Sequence, residues 1–174
     1  MKNLVNIKSA KLMTVEEMNK NQSSMTGKYL VAPWHFPYEV YQFNSLTPNK
    51  DKATQLARGD EYADYMPDFN FEVTKLNGKV KYLDGHNGTK YFVFDDVKTA
   101  KQAVRDLNTL EQVDRLENVI NHHVGEIKKD LAEMPTNIPQ ALQIKYKDFL
   151  NQCEVMINNI ATNKKLLITR LSNI

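Results

Sequence analysis

Residues 142–174 read LQIKYKDFLNQCEVMINNIATNKKLLITRLSNI. Tyr146, Cys153, Ile160, Leu167 and Ile174 recur every seven residues, and Leu142, Phe149 and Met156 interleave with them, as in a coiled-coil seam. Just upstream, Leu110, Val113, Leu116, Ile120, Val124, Ile127 and Leu131 step by three and four, the spacing of one helix face. Pro135 and Pro139 bracket a short connection between the two segments. Long helices joined by a tight link fold back on each other, so the spacing predicts an antiparallel helical hairpin. Leu150, Ile157 and Leu171 lie beside the seam and widen its apolar face, which makes them candidates for self-association as a homodimer. Asn163 falls on the seam. A buried Asn there fixes register, and a frayed, wet helix end is the simpler alternative.

Working back toward the N-terminus, Asp95 and Asp96 precede Val97, Ala100, Val104 and Leu107, a capped helix that Asn108 is expected to end. Thr109 and Gln112 form a second capping signature, placing the start of the hairpin there. Phe69, Phe71 and Val73 alternate with polar residues, the period of a half-buried strand. Asn77-Gly78 is a two-residue hairpin turn, and residues 79–83 and 90–94 complete a predicted three-stranded antiparallel meander, to which 28–32 adds a further strand. Thr14 and Glu17 form a capping box for a short helix. Thr47 and Pro48 are read as N-cap and first residue of another helix, with Gly59 ending it and Asp60 capping a short turn to Tyr65. The fold expectation is therefore α+β: residues 1–108 as an α+β unit with a small antiparallel sheet, and 109–174 as the helical hairpin.

The whole composition agrees with an ordinary globular chain. In 174 residues, 41% are hydrophobic and 25% charged, enough to bury a core without a disulfide or metal staple. One cysteine, Cys153, excludes an intrachain disulfide framework and fits a reduced, cytoplasmic compartment. No continuous apolar run reads as a signal peptide or a membrane span. Lys plus Arg total 23 and Asp plus Glu 21, so the net charge of +2 falls short of a dedicated nonspecific nucleic-acid binder. The abundance of Asn and Lys suggests an AT-rich coding genome, as in many phages, mobile elements and low-GC bacteria.

Few residues carry catalytic chemistry. His122 and Glu126 are four apart on one helix face beside His123, yet no Glu-x-x-His pattern supplies a third metal ligand. Asp84, Asp95 and Asp96 near His86 are explained by turn and cap chemistry. No nucleophile elbow or phosphate loop is present, and Cys153 sits on an apolar repeat. No metal and no cofactor is expected on these motifs. Gly125, inside a predicted helix, serves either a close approach or a bend.

The segment from Pro33 to Phe43 holds the one tryptophan, Trp34, with Phe36, Tyr38 and Tyr41, and two prolines that stiffen it, Pro33 and Pro37. Aromatics on a rigid loop are efficient interface anchors, and the plainer reading plugs Trp34 and Phe36 into the sheet core. A further run, Gly88 to Asn108, resembles the third strand and second helix of an RNA-recognition motif through Tyr91, Phe94, Ala100, Ala103, Val104 and Leu107. The resemblance implies stacking of a base on Tyr91. Thr89 and Lys90 depart from that pattern, and a helix follows where the family continues into a fourth strand.

Three functional expectations follow. The leading one is a non-enzymatic binding or regulatory protein that recognises a macromolecular partner, a protein, through Trp34, Phe36, Tyr38 and Tyr41. The alternative is nucleic-acid binding through Tyr91 with Lys79, Lys81 and Lys90. A small enzyme without a recognisable motif comes third.

Overall fold

The computed structural model describes residues 6–32, 36–75, 78–133 and 139–174. Six strands form one sheet: β1 (Lys11–Thr14), β2 (Tyr29–Val31), β3 (Val40–Pro48), β4 (Phe69–Lys75), β5 (Val80–Gly85) and β6 (Lys90–Phe94). The helices are α1 (Val15–Lys20), α2 (Gln22–Met25), α3 (Lys50–Ala57), α4 (Val97–Glu133) and α5 (Gln140–Asn173), and a 3-10 turn covers Glu61–Tyr65. Every strand pair is antiparallel, in the spatial order β1-β6-β2-β3-β4-β5. The class is α+β, but the sheet has twice the strands of the expected meander.

The meander itself is corrected. β4 and β5 pair as a hairpin, with Phe71 opposite Leu83 and Val73 opposite Lys81, whereas β6 leaves β5 and inserts between β1 and β2. Gly78 carries the positive φ of the β4–β5 turn, and Asn77 lies outside the described residues. β6 and β4 stand three places apart, about 14 Å in a flat sheet. The Tyr91 and Phe71 ring centroids are nevertheless 4.9 Å apart, so the sheet curls round its core face. That core gathers Met13, Leu30, Tyr41, Phe43, Leu46, Phe71, Val73, Tyr91 and Val93, and Val15, Met18 and Met25 close it from the α1–α2 side. Phe92 and Phe94, on the opposite face of β6, are buried as well, so this central strand reads as a continuous apolar run.

Residues 45–48 do not begin a helix. β3 runs through Pro48, because a β-bulge between Phe43 and Ser45 shifts the alternation and returns Leu46 to the core opposite Phe71. Asn49, not Thr47, caps α3, accepting from the N–H groups of Asp51 and Lys52. The expected capping box of α1 is present, Glu17 N–H on Thr14 Oγ1 at 3.2 Å and Thr14 N–H on Glu17 Oε2 at 2.8 Å. The segment 21–27, between α1 and β2, holds α2.

A polar pin fastens the α3 end of the sheet. Lys52 Nζ donates to the Met66 carbonyl at 2.8 Å and to the Asp68 carboxylate, whose other oxygen accepts from Asn87 N–H at 3.0 Å. Burial alone would raise the Asp68 pKa; the Lys52 and Asn87 hydrogen bonds outweigh it and hold it below the ordinary carboxyl value of 3.8. The contribution is therefore present above pH 3.8 and fades as pH falls through the lower folded value. Asp68→Asn is expected to cost about 1–2 kcal/mol at pH 7 and to flatten acid unfolding, read by urea melts at pH 7 and pH 3. Equal losses at both pH values would refute the linkage.

The chain divides into two compact units, one running to Arg105 and including Leu171–Ile174, the other Asp106–Arg170. α4 is one unbroken helix through Asn108 and Thr109, so the second capping signature is not used. Within the second unit, ion pairs run antiparallel between the helices: Asp106 with Arg170, Asp114 and Glu117 with Lys164, and Glu154 with Lys128. The seam is shifted from the expected one. Tyr146, Cys153, Ile160 and Leu167 are covered, but their interleaving partners are Leu150, Ile157 and Lys164, while Leu142, Phe149 and Met156 are 42%, 48% and 51% exposed. Leu150 and Ile157, expected at a dimer face, thus lie on the Lys164 row turned toward α4, and Leu171 is fully buried in the first unit. On α4, Glu117 replaces Leu116 in the stripe, and Leu116 is exposed.

Candidate functional site

The aromatic segment and the basic strand meet at one point of the sheet. Phe36 and Tyr38 are half-buried, with ring centroids 6.1 Å apart in an edge-to-face arrangement. Trp34 lies outside the described residues. Tyr41, expected as a partner contact, is instead a core residue 1% exposed, because its place on β3 turns the ring inward beside Phe43. Its hydroxyl donates to Glu39 Oε2 at 2.5 Å, and Glu39 Oε1 lies 2.6 Å from Lys75 Nζ. Lys81 Nζ sits 3.5 Å from the Tyr41 hydroxyl and 5.5 Å from the ring centroid. Lys75 pairs with Tyr41 across β3–β4, and Lys81 with Val73 across β4–β5, so the register assembles the group.

The electrostatics fix what this cluster can do. The Lys75 hydrogen bond, then that of Tyr41, hold Glu39 below the ordinary carboxyl range. Burial first, and the adjacent carboxylate second, push the Tyr41 phenol well above its usual value, so it stays a neutral donor. Both Glu39 oxygens are engaged, and a low-pKa carboxylate makes a poor general base near pH 7. The cluster is a fixed charge pattern, two ammonium groups around one carboxylate, beside the Phe36–Tyr38 pair. Glu39 and Lys75 were not singled out from sequence. Their link is a cross-strand contact that no local spacing encodes.

The nucleic-acid set separates. Tyr91 is 1% exposed, its ring against Phe71 and its hydroxyl donating to the Asp84 carbonyl at 3.3 Å, so it cannot stack on a base from this position. Lys90 starts β6, whereas Lys79 and Lys81 belong to the β5 end, and β5 and β6 are not neighbours. His122, His123 and Glu126 are exposed, and among the described residues no three metal-ligating side chains converge. A cleft of about 270 Å³ has Met13, Met25 and Val93 at its floor and Lys11, Lys28 and Asp95 at its rim. Lys28 is already neutralised by Asp95, so no reactive set gathers there.

No family model, curated protein or solved structure matches the chain. Among the described residues no helix is long and apolar enough to cross a membrane.

Proposed function

We propose that this chain is a non-enzymatic binding protein of phage or mobile-element type, with a regulatory role in the cytoplasm, that recognises a protein partner at the β3–β5 end of the sheet. The observation that carries the reading is the half-buried Phe36–Tyr38 pair next to the Glu39–Lys75–Lys81 charges. Aromatic rings give contact area at low entropic cost, and charges at their rim set orientation and on-rate. Tyr41 supports the surface from beneath and does not touch the partner.

Affinity capture from a bacterial lysate, with and without nuclease, tests this. The reading expects one protein to be enriched in a nuclease-resistant manner, and Phe36→Ala with Tyr38→Ala to reduce its recovery about tenfold or more while the thermal melt stays cooperative. Recovery of nucleic acid alone, or equal protein recovery by the double variant, would sink it.

A further inference from the structure

A second surface, independent of the one above, lies on the 3-10 turn Glu61–Tyr65. A 3-10 helix has three residues per turn, so side chains at i and i+3 eclipse and form columns. Here the columns sort by chemistry. Ala63 is fully buried and anchors the turn; Asp60 accepts the Tyr62 N–H at 3.0 Å, and the Met66 carbonyl is held by Lys52 at 2.8 Å. Tyr62 and Tyr65 form the second column, 66% and 81% exposed. Glu61 and Asp64 form the third, both exposed and without an ion pair among the described residues. The turn is pinned at its cap, its anchor and its end, so its outward side chains are displayed on a fixed backbone.

Neither column stabilises the fold by burial. Paired exposed tyrosines beside paired carboxylates match one side chain better than any other. An arginine guanidinium stacks its plane on a phenol ring and donates from its edge to a carboxylate, whereas a lysine ammonium offers only a point charge. The carboxylates also repel phosphate backbones, which disfavours nucleic acid here. We infer that the Glu61–Tyr65 turn is a docking site for an arginine-rich segment of another protein, each guanidinium lying on a tyrosine and pairing with the neighbouring acid.

The probe is a hexa-arginine peptide titrated into the full chain and followed by amide and tyrosine-ring NMR shifts, with hexa-lysine as comparison. The inference expects saturable shifts centred on residues 60–66 and affinity for hexa-arginine at least about fivefold above hexa-lysine. Tyr62→Ala with Tyr65→Ala should weaken hexa-arginine about tenfold and hexa-lysine distinctly less, while Glu61→Gln with Asp64→Asn should weaken both. Because all four side chains are exposed, unchanged melting of the variants separates lost binding from lost fold. Equal affinity for the two peptides, indifference to the tyrosine substitutions, shifts centred elsewhere, or preferential response to a single-stranded oligonucleotide would overturn it. None of these outcomes touches the Phe36–Tyr38 surface, which is read by capture.

Discussion

Replacing Phe71 by alanine is expected to destabilise the sheet unit by about 3–5 kcal/mol, the range for deleting a fully enclosed aromatic ring. Phe71 is 0% exposed and packs against Tyr91 at 4.9 Å and edge-on to Phe43 at 6.3 Å, so one truncation removes contacts to strands on both sides of the curl. A typical domain is stable by about 5–15 kcal/mol, so such a loss moves the urea midpoint severely. The ring also explains why residue 85 is glycine: a Cβ there would stand 2.6 Å from Phe71 Cε2 and 3.3 Å from Phe69 Cβ. Gly85→Ala should therefore be harmful in the native background and clearly less so beside Phe71→Ala, where only the 3.3 Å approach to Phe69 Cβ remains, a coupling that a double-mutant cycle reads directly. Additive losses, or a Phe71→Ala penalty below about 1 kcal/mol, would contradict the curled core.

What could be read from the sequence was local and periodic. The Thr14–Glu17 box, the Asp60 cap and the alternation of β4 each sit within a few residues, and each is present. β3 was missed because its bulge moves the core-facing residues from odd to even numbers between Phe43 and Leu46, and because Pro48 mimics a helix start. Strand order was beyond reach, since β6 chooses β1 and β2 over its sequence neighbour β5 through contacts remote along the chain. That choice also decides Tyr91: a central strand with both faces covered has no open side on which to present a ring. At Thr109 a capping signature lost to helix continuation, where Leu107 and Leu110 are both buried on one uninterrupted α4. Interior Asn and Thr cost a helix only about 0.5 kcal/mol each. The Tyr62–Tyr65 pair was visible in principle: an Asp-capped turn with tyrosines three apart eclipses them if it is 3-10, the form that Glu61–Tyr65 takes with Ala63 buried.

The hairpin shows how one charged residue misdirects a pattern and then sets the register. The row Tyr146, Cys153, Ile160 can be completed by the residues three ahead, Phe149, Met156 and Asn163, or four ahead, Leu150, Ile157 and Lys164. Apolar content favours neither, and a lysine argues against the second, yet the second faces α4. Lys164 Nζ lies 2.7 Å from Asp114 and 2.9 Å from Glu117, and Glu117 occupies the matching polar place in the α4 stripe. Sliding either helix by a turn would leave three partly buried charges without partners, so this polar layer specifies register as a buried polar seam residue does in a coiled coil.

Lys164→Met tests that layer. The side chains are 33% and 23% exposed, so the full penalty for breaking a buried pair is discounted for water, and a loss of about 1–2 kcal/mol at pH 7 is expected. In the native protein the Asp114 hydrogen bond, then that of Glu117, raise the Lys164 pKa above 10.5. Its contribution is complete below pH 10.5 and lost only as pH rises through that higher folded value. Without the ammonium, the Asp114 and Glu117 carboxylates are left as like charges with no cation between them, which adds to the loss at pH 7. Adding Asp114→Asn and Glu117→Gln should restore most of the neutral-pH loss, because the repulsion is gone and the methionine fills an apolar seam place. Thermal melts of the three proteins at pH 5, 7 and 10 decide the matter. If Lys164→Met alone is as stable as wild type at pH 7, the position is simply an apolar slot, and the ion pair does not set the register of the hairpin.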